Sequence, residues 1–204
     1  MSAYWNAEGQ RGGIPRGIAR EGLPILSYGF RPFFLAAGVF AFLAMALWLG
    51  ALLLGWSIGG TLYDPVTWHG REMLFGYAVA ALAGFLLTTV PNWTGRLPVS
   101  GTPLLLLLLL WLGGRLAMAA PNVLGETGSA VIDCAFLLVL WALSAREIIS
   151  GKNWKNLKVL IALGLLALTN IAFHLATAVG GDTQLPLRVA IAIFVVLIGV
   201  VGGR

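Results

Sequence analysis

Charge is scarce in this chain. Of 204 residues, 13 are Lys or Arg and 8 are Asp or Glu, or 10% of the sequence, against about a quarter in an ordinary soluble domain. So few charges exclude a surface built for water. Cysteine is almost missing as well. The lone Cys134 excludes an intramolecular disulfide and a CxxC pair, and it leaves the redox compartment unread. With only 2 histidines and no HExxH string, the sequence holds no zinc pattern. It also lacks a glycine-rich phosphate loop, a GxSxG elbow and a carboxylate pair beside a nucleophile, so no catalytic constellation is legible. No block of Lys and Arg interleaves with aromatics, which sets nucleic acid aside as a partner. Strand-like alternation is missing, against an outer-membrane barrel.

What is present is long apolar runs. The chain is 59% hydrophobic, with a mean hydropathy of +0.90. A spanning helix needs about 20 mostly apolar residues, and six runs qualify: 33–56, 73–90, 104–120, 127–145, 157–179 and 185–201. Short connections rich in turn residues separate them, such as "PNWTGRLPVSGTP" and "GGDTQLP". Backbone polar groups in lipid must be satisfied internally, so helices are the expected form. The expected fold is an all-α, polytopic transmembrane helical bundle of about six spans, with the lipid bilayer as its partner. Residues 1–27 hold arginines, glycines and prolines but no apolar core or cleavage site; they read as a polar cytoplasmic tail ahead of a six-span domain over 28–204.

The net charge of +5 then reads as topology. Arg11, Arg16, Arg20, Arg31, Arg96, Arg146, Lys152, Lys155, Lys158 and Arg204 fall on one side, and Arg71 and Arg188 on the other, ten against two with Arg115 inside a span. The positive-inside rule places both termini in the cytoplasm. In that frame His69, His174, Arg115, Asp133 and Arg188 all fall in the outer half of the bundle, from five different segments. Ionisable residues inside a bilayer are costly and face a partner or a cavity.

Each of these residues has two readings. His69, in "WHGREMLFGY", is an interfacial histidine or a ligand. His174 shares a helical stripe with Asn170 and Thr177; it is held by an interhelical hydrogen bond or binds a metal or haem iron. Arg115 and Asp133 form a structural ion pair or line a site. Arg188 snorkels at a helix end or meets an anionic group. Met73 fills core or serves as a soft ligand. In the second span Gly76, Ala80, Gly84 and Thr88 recur every fourth residue, a small-residue stripe suited to close approach of a neighbouring helix. A solute vestibule and a purely structural bundle are the readings that need no cofactor.

Several strings, taken together, carry a family resemblance: "SYGFRPFFLAAGVFAFLAMALWL", "WHGREMLFGYAVAALAGFLLTTVPNWTGR", "WLGGRLAM", "NWKNLKV", "NIAFHL" and the terminal "GGR". In this order, from about Leu26 to Arg204, the chain resembles the NnrS family. The resemblance implies a multispanning protein of the bacterial inner membrane, linked to the nitric oxide response and denitrification, with haem and copper as cofactors. It makes His69 and His174 candidate axial or copper ligands, with Met73 as a further soft metal ligand. Arg115 and Arg188 become partners for haem propionates, and Glu72 an acceptor that orients His69. The family's motif usually reads His-x-His-Glu-Met, whereas this chain has "HGREM", with Arg71 at the second histidine's place. Family members are commonly about twice as long, which implies an N-terminal half or truncated member, working by self-association or by pairing with a second half.

Overall fold

The computed structural model describes residues 23–60 and 62–202. All of its regular structure among these residues is helical. Six helices are long and apolar enough to cross a membrane. We number them α1, Phe30–Leu54; α2, Pro65–Thr94; α3, Thr102–Ala119; α4, Pro121–Ser150; α5, Leu157–Ala178; and α6, Gln184–Gly202. Most of the expected polar tail, residues 1–22, lies outside the described residues, as does Arg204.

Local chemistry sets the helix ends. Asp64 caps α2: its carboxylate accepts from the backbone N–H groups of Val66 and Thr67, each at 3.0 Å, and Pro65 occupies the first turn, where a missing N–H costs nothing. Gly55 and Gly95 close α1 and α2 in the left-handed conformation. Within α4, Gly125 stands at φ 72° and ψ 169°, which breaks the first turn from the rest. The second helix begins eight residues ahead of the apolar run at Met73 that marks it in the sequence. The run alone misses its polar first two turns, which the Asp64–Pro65 start signal supplies. In its middle, Glu72–Ala78 forms a wider, π-helical turn.

α2 and α5 are the most enclosed helices, and α1 and α6 the most exposed. α1 packs on α2, α3 on α4, α4 on both α2 and α5, and α6 on α5. Phe33, Phe75, Phe136 and Phe173 are fully buried between them. Lipid tails are as apolar as these side chains, so close fit and internal hydrogen bonds hold the bundle together. Trp68 donates its indole N–H to the Met118 carbonyl at 2.9 Å, tying α2 to the end of α3. The small-residue stripe faces α1, and its glycines receive phenylalanine rings from that helix. A Cβ at Gly84 would lie 2.8 Å from Phe34 and 3.2 Å from Phe33. Gly84→Val should therefore cost about 1–3 kcal/mol, read as a lower Tm in detergent. Gly38→Ala, whose Cβ meets nothing within 4 Å, should not lower it.

The cap also has a pH signature. The Asp64 carboxyl lies below the ordinary carboxylate range, chiefly through the Thr67 hydroxyl, with burial opposing and the Thr67 and Val66 amides assisting. A depressed folded-state pKa means that the cap's contribution is complete above the unfolded value, near 4, and is lost as pH falls through the folded one. Asp64→Ala should lower stability by about 1 kcal/mol at neutral pH, and the gap to the parent protein should close on acidification below about pH 4.

Candidate functional site

The bundle interior holds a closed ring of charge. Arg71 and Glu72 come from α2, Arg115 from α3 and Asp133 from α4, and they are 0%, 0%, 4% and 1% exposed. Arg71 donates through Nη1 to Glu72 Oε1 and through Nη2 to Asp133 Oδ2. Arg115 donates through Nη1 to Glu72 Oε2 at 2.7 Å and through Nη2 to Asp133 Oδ1. Each carboxylate oxygen thus accepts from one arginine, and each arginine bridges both carboxylates. The four formal charges sum to zero. A bare ion in this setting would cost several kcal/mol, and mutual pairing is what makes the burial tolerable.

The surrounding fold is shaped to admit the ring. Within the wide turn at Glu72–Ala78 the Gly76 carbonyl accepts from the Val79 N–H and also from the Trp111 indole at 3.0 Å. A side chain at Gly76 would put its Cβ 2.9 Å from Arg115 Nη1 and 3.1 Å from Glu72 Oε2, so glycine makes room for the ion pair. Gly114 does the same for Asp133, whose Cα would lie 3.3 Å from an added Cβ. Aromatic faces cover the cations: the Arg71 guanidinium lies over Phe75 and Phe173, at 5.6 and 5.4 Å, and that of Arg115 over Phe40 at 6.0 Å.

α5 extends the ring. Asn170 accepts from Arg71 Nη2 at 3.1 Å and donates through Nδ2 to Asp133 Oδ2 at 2.7 Å. His174 Nε2 lies 3.0 Å from the same oxygen. Nε2 thus faces an acceptor, Asp133, and at 3.3 Å a donor, Arg71 Nη2; in the tautomer that gives Nε2–H to the nearer carboxylate, Nδ1 carries the lone pair. Nδ1 is buried without a hydrogen-bond partner among the described residues. Cys134, next to Asp133 on α4, accepts a long contact from Asn170 Nδ2 at 3.7 Å. Ligand atoms of Asp133, Cys134 and His174 all lie within 4.8 Å of one another.

Of the residues singled out in the sequence, the structure brings Glu72, Arg115, Asp133 and His174 together. His69 is held elsewhere: its ring stacks on Trp48 of α1, centroids 4.4 Å apart and planes 16° from parallel. Met73 is half-buried against the core, and Arg188 is exposed on α6. Sequence reasoning missed Arg71 as the centre of the network and Asn170 as its link to α5. The Asp64–Pro65 start signal was the available clue, because a helix beginning there carries Arg71 about two turns inside.

Removing one member of the ring strands the others. Arg71→Met should destabilise the protein by about 3–5 kcal/mol. Glu72→Leu and Arg115→Leu together, which leave Arg71 paired with Asp133, should cost less than the sum of the two single changes. Thermal unfolding in detergent reads both.

The model of a family described as NnrS protein matches residues 24–204. No curated protein and no solved structure matches the chain.

Proposed function

Since the chain belongs to the NnrS family, we propose that it serves the nitric oxide response as a copper-binding protein of the bacterial inner membrane, with Cys134 and His174 as the copper ligands. The observation that carries this reading is the buried, unpartnered Nδ1 of His174. Metal-binding histidines ordinarily give their other ring N–H to a carboxylate, which fixes the ring; Asp133 stands in that position at 3.0 Å. Both Asp133 oxygens already accept from arginine, so Asp133 orients the ligand and does not bind the ion. A thiolate and an imidazole are donors that suit Cu(I). The charge also balances: the ring is neutral, and a monovalent ion with a deprotonated Cys134 adds none. Copper supplies one-electron chemistry when bound. The protein's part is to hold the imidazole in one tautomer and to keep the site enclosed.

Haem does not fit the same residues. His174 is 5% exposed and enclosed with its Nε2 turned to Asp133, so it does not open on a space that a macrocycle needs. Arg115 and Glu72 are spent on each other and on the rest of the ring, so neither is free for a propionate or for His69. The same saturation of polar atoms weighs against a solute vestibule. The orientation with both termini cytoplasmic rests on the Lys and Arg tally, which becomes ten against one when the buried Arg71 is set aside.

Purified protein loaded with Cu(I) should retain about one equivalent. Cys134→Ser and His174→Ala should lose it, while His69→Ala should keep it. A Soret band in the purified protein that disappears in His69→Ala would overturn this reading in favour of haem.

A further inference from the structure

At the far end of α2 from the ring, a cavity of about 210 Å³ opens between the last turns of that helix and the segment ahead of α1. Its polar lining is Tyr28, Thr88, Asn92 and Arg96. The strings "SYGFRPFF" and "PNWTGR" meet here, far from the copper ligands, and nothing in the ring uses them.

The lining is rich in donors. The Tyr28 hydroxyl is buried and has no hydrogen-bond partner among the described residues, although a buried phenol normally finds one. Burial raises the Tyr28 pKa and Arg31 opposes that shift, so the group keeps its proton at neutral pH and can donate. Arg96 is aimed from behind: its Nε donates to Glu147, and no protein partner takes its Nη groups among the described residues. Arg146 binds the same carboxylate at 2.8 Å. Two guanidiniums therefore share one carboxylate, and one positive charge stays uncompensated. Thr88 already donates its hydroxyl to the Gly84 carbonyl at 2.8 Å, so it brings no free proton. A guanidinium fork whose Nη groups are free matches the oxygens of a phosphate.

The setting agrees with that chemistry. Tyrosine, tryptophan and basic residues gather where spans leave the hydrocarbon, and basic pockets between spans take phospholipid headgroups. A neighbouring depression is lined by Lys155 and Lys158.

We propose that this cavity binds a phosphate-bearing anion, gripped by the Arg96 guanidinium on one side and the Tyr28 hydroxyl on the other. The ligand is either a phospholipid headgroup or free phosphate. The site is independent of copper.

The test uses the full chain in mild detergent. Native mass spectrometry follows binding of dioleoyl phosphatidic acid, with dioleoylglycerol, which lacks only the phosphate, as the control. Calorimetry with inorganic phosphate runs in parallel without lipid. One equivalent of phosphatidic acid, inorganic phosphate or both should bind, and dioleoylglycerol should not. Arg96→Gln should weaken binding about tenfold or more, and Tyr28→Phe about fivefold. Phosphatidic acid that inorganic phosphate does not displace identifies a lipid site; inorganic phosphate that binds alone and competes identifies a free-anion site. Arg96→Gln also disturbs Glu147, so Tyr28→Phe is the decisive variant, since its hydroxyl bonds nothing among the described residues. Unchanged affinity in a folded Tyr28→Phe protein, equal binding of dioleoylglycerol, or no binding of either phosphate probe would overturn the proposal.

Discussion

Two arginines and two carboxylates have to be neutral together inside this bundle, and much of the architecture follows from that requirement. A single guanidinium in hydrocarbon is expensive, and so is a single carboxylate. Joined in a ring they carry no net charge, with each oxygen accepting from one arginine. The ring draws on α2, α3 and α4, and Asn170 and His174 attach α5 to it. Four of the six spans are thus fixed in rotation and depth by one polar cluster. In lipid, where apolar packing between helices has no hydrophobic advantage over lipid contact, such a cluster is a stronger determinant of register than side-chain shape alone.

The ring also decides what chemistry the interior can do. Its arginines are turned towards its own carboxylates, so they are not available to a substrate. Besides the Nε groups of Arg71 and Arg115, the buried atom left without a partner in this cluster, among the described residues, is Nδ1 of His174, and the Cys134 thiol stands beside Asp133 on α4. The charged groups hold one another, and the imidazole and the thiol stand beside them. Asp133 connects the two sets, because the carboxylate that closes the ring also holds the imidazole.

The six spans were legible because each is a long apolar run between turn residues, and hydropathy needs no knowledge of neighbours. The stripe of Asn170, His174 and Thr177 was legible too, since α5 is regular and residues four apart share a face. The ring was not. Arg71 was counted among loop charges, because its helix was taken to start at Met73. The wider turn after Glu72 also shifts the faces of α2, so a regular helical period does not carry the face of His69 through to the residues beyond that turn. His69 and His174 were paired by depth along the bundle axis. Depth can be read from sequence. The direction a side chain faces around its helix depends on the backbone winding in between, and here that winding changes.

The way the charges are divided among helices bears on how the chain enters a membrane. α2 carries one cation and one anion at adjacent positions, Arg71 and Glu72, which contact each other directly; it can leave the translocon already neutral. α3 brings Arg115 as its single charge, and α4 brings Asp133 in its interior with Glu126, Arg146 and Glu147 nearer its ends; Arg115 and Asp133 are each burdened by about 2.5–3.5 kcal/mol on an insertion scale. Only Ala120 separates these two helices, and their opposite charges bond across the hairpin. The tight turn therefore makes α3 and α4 a single unit of biogenesis, released into lipid as a pair.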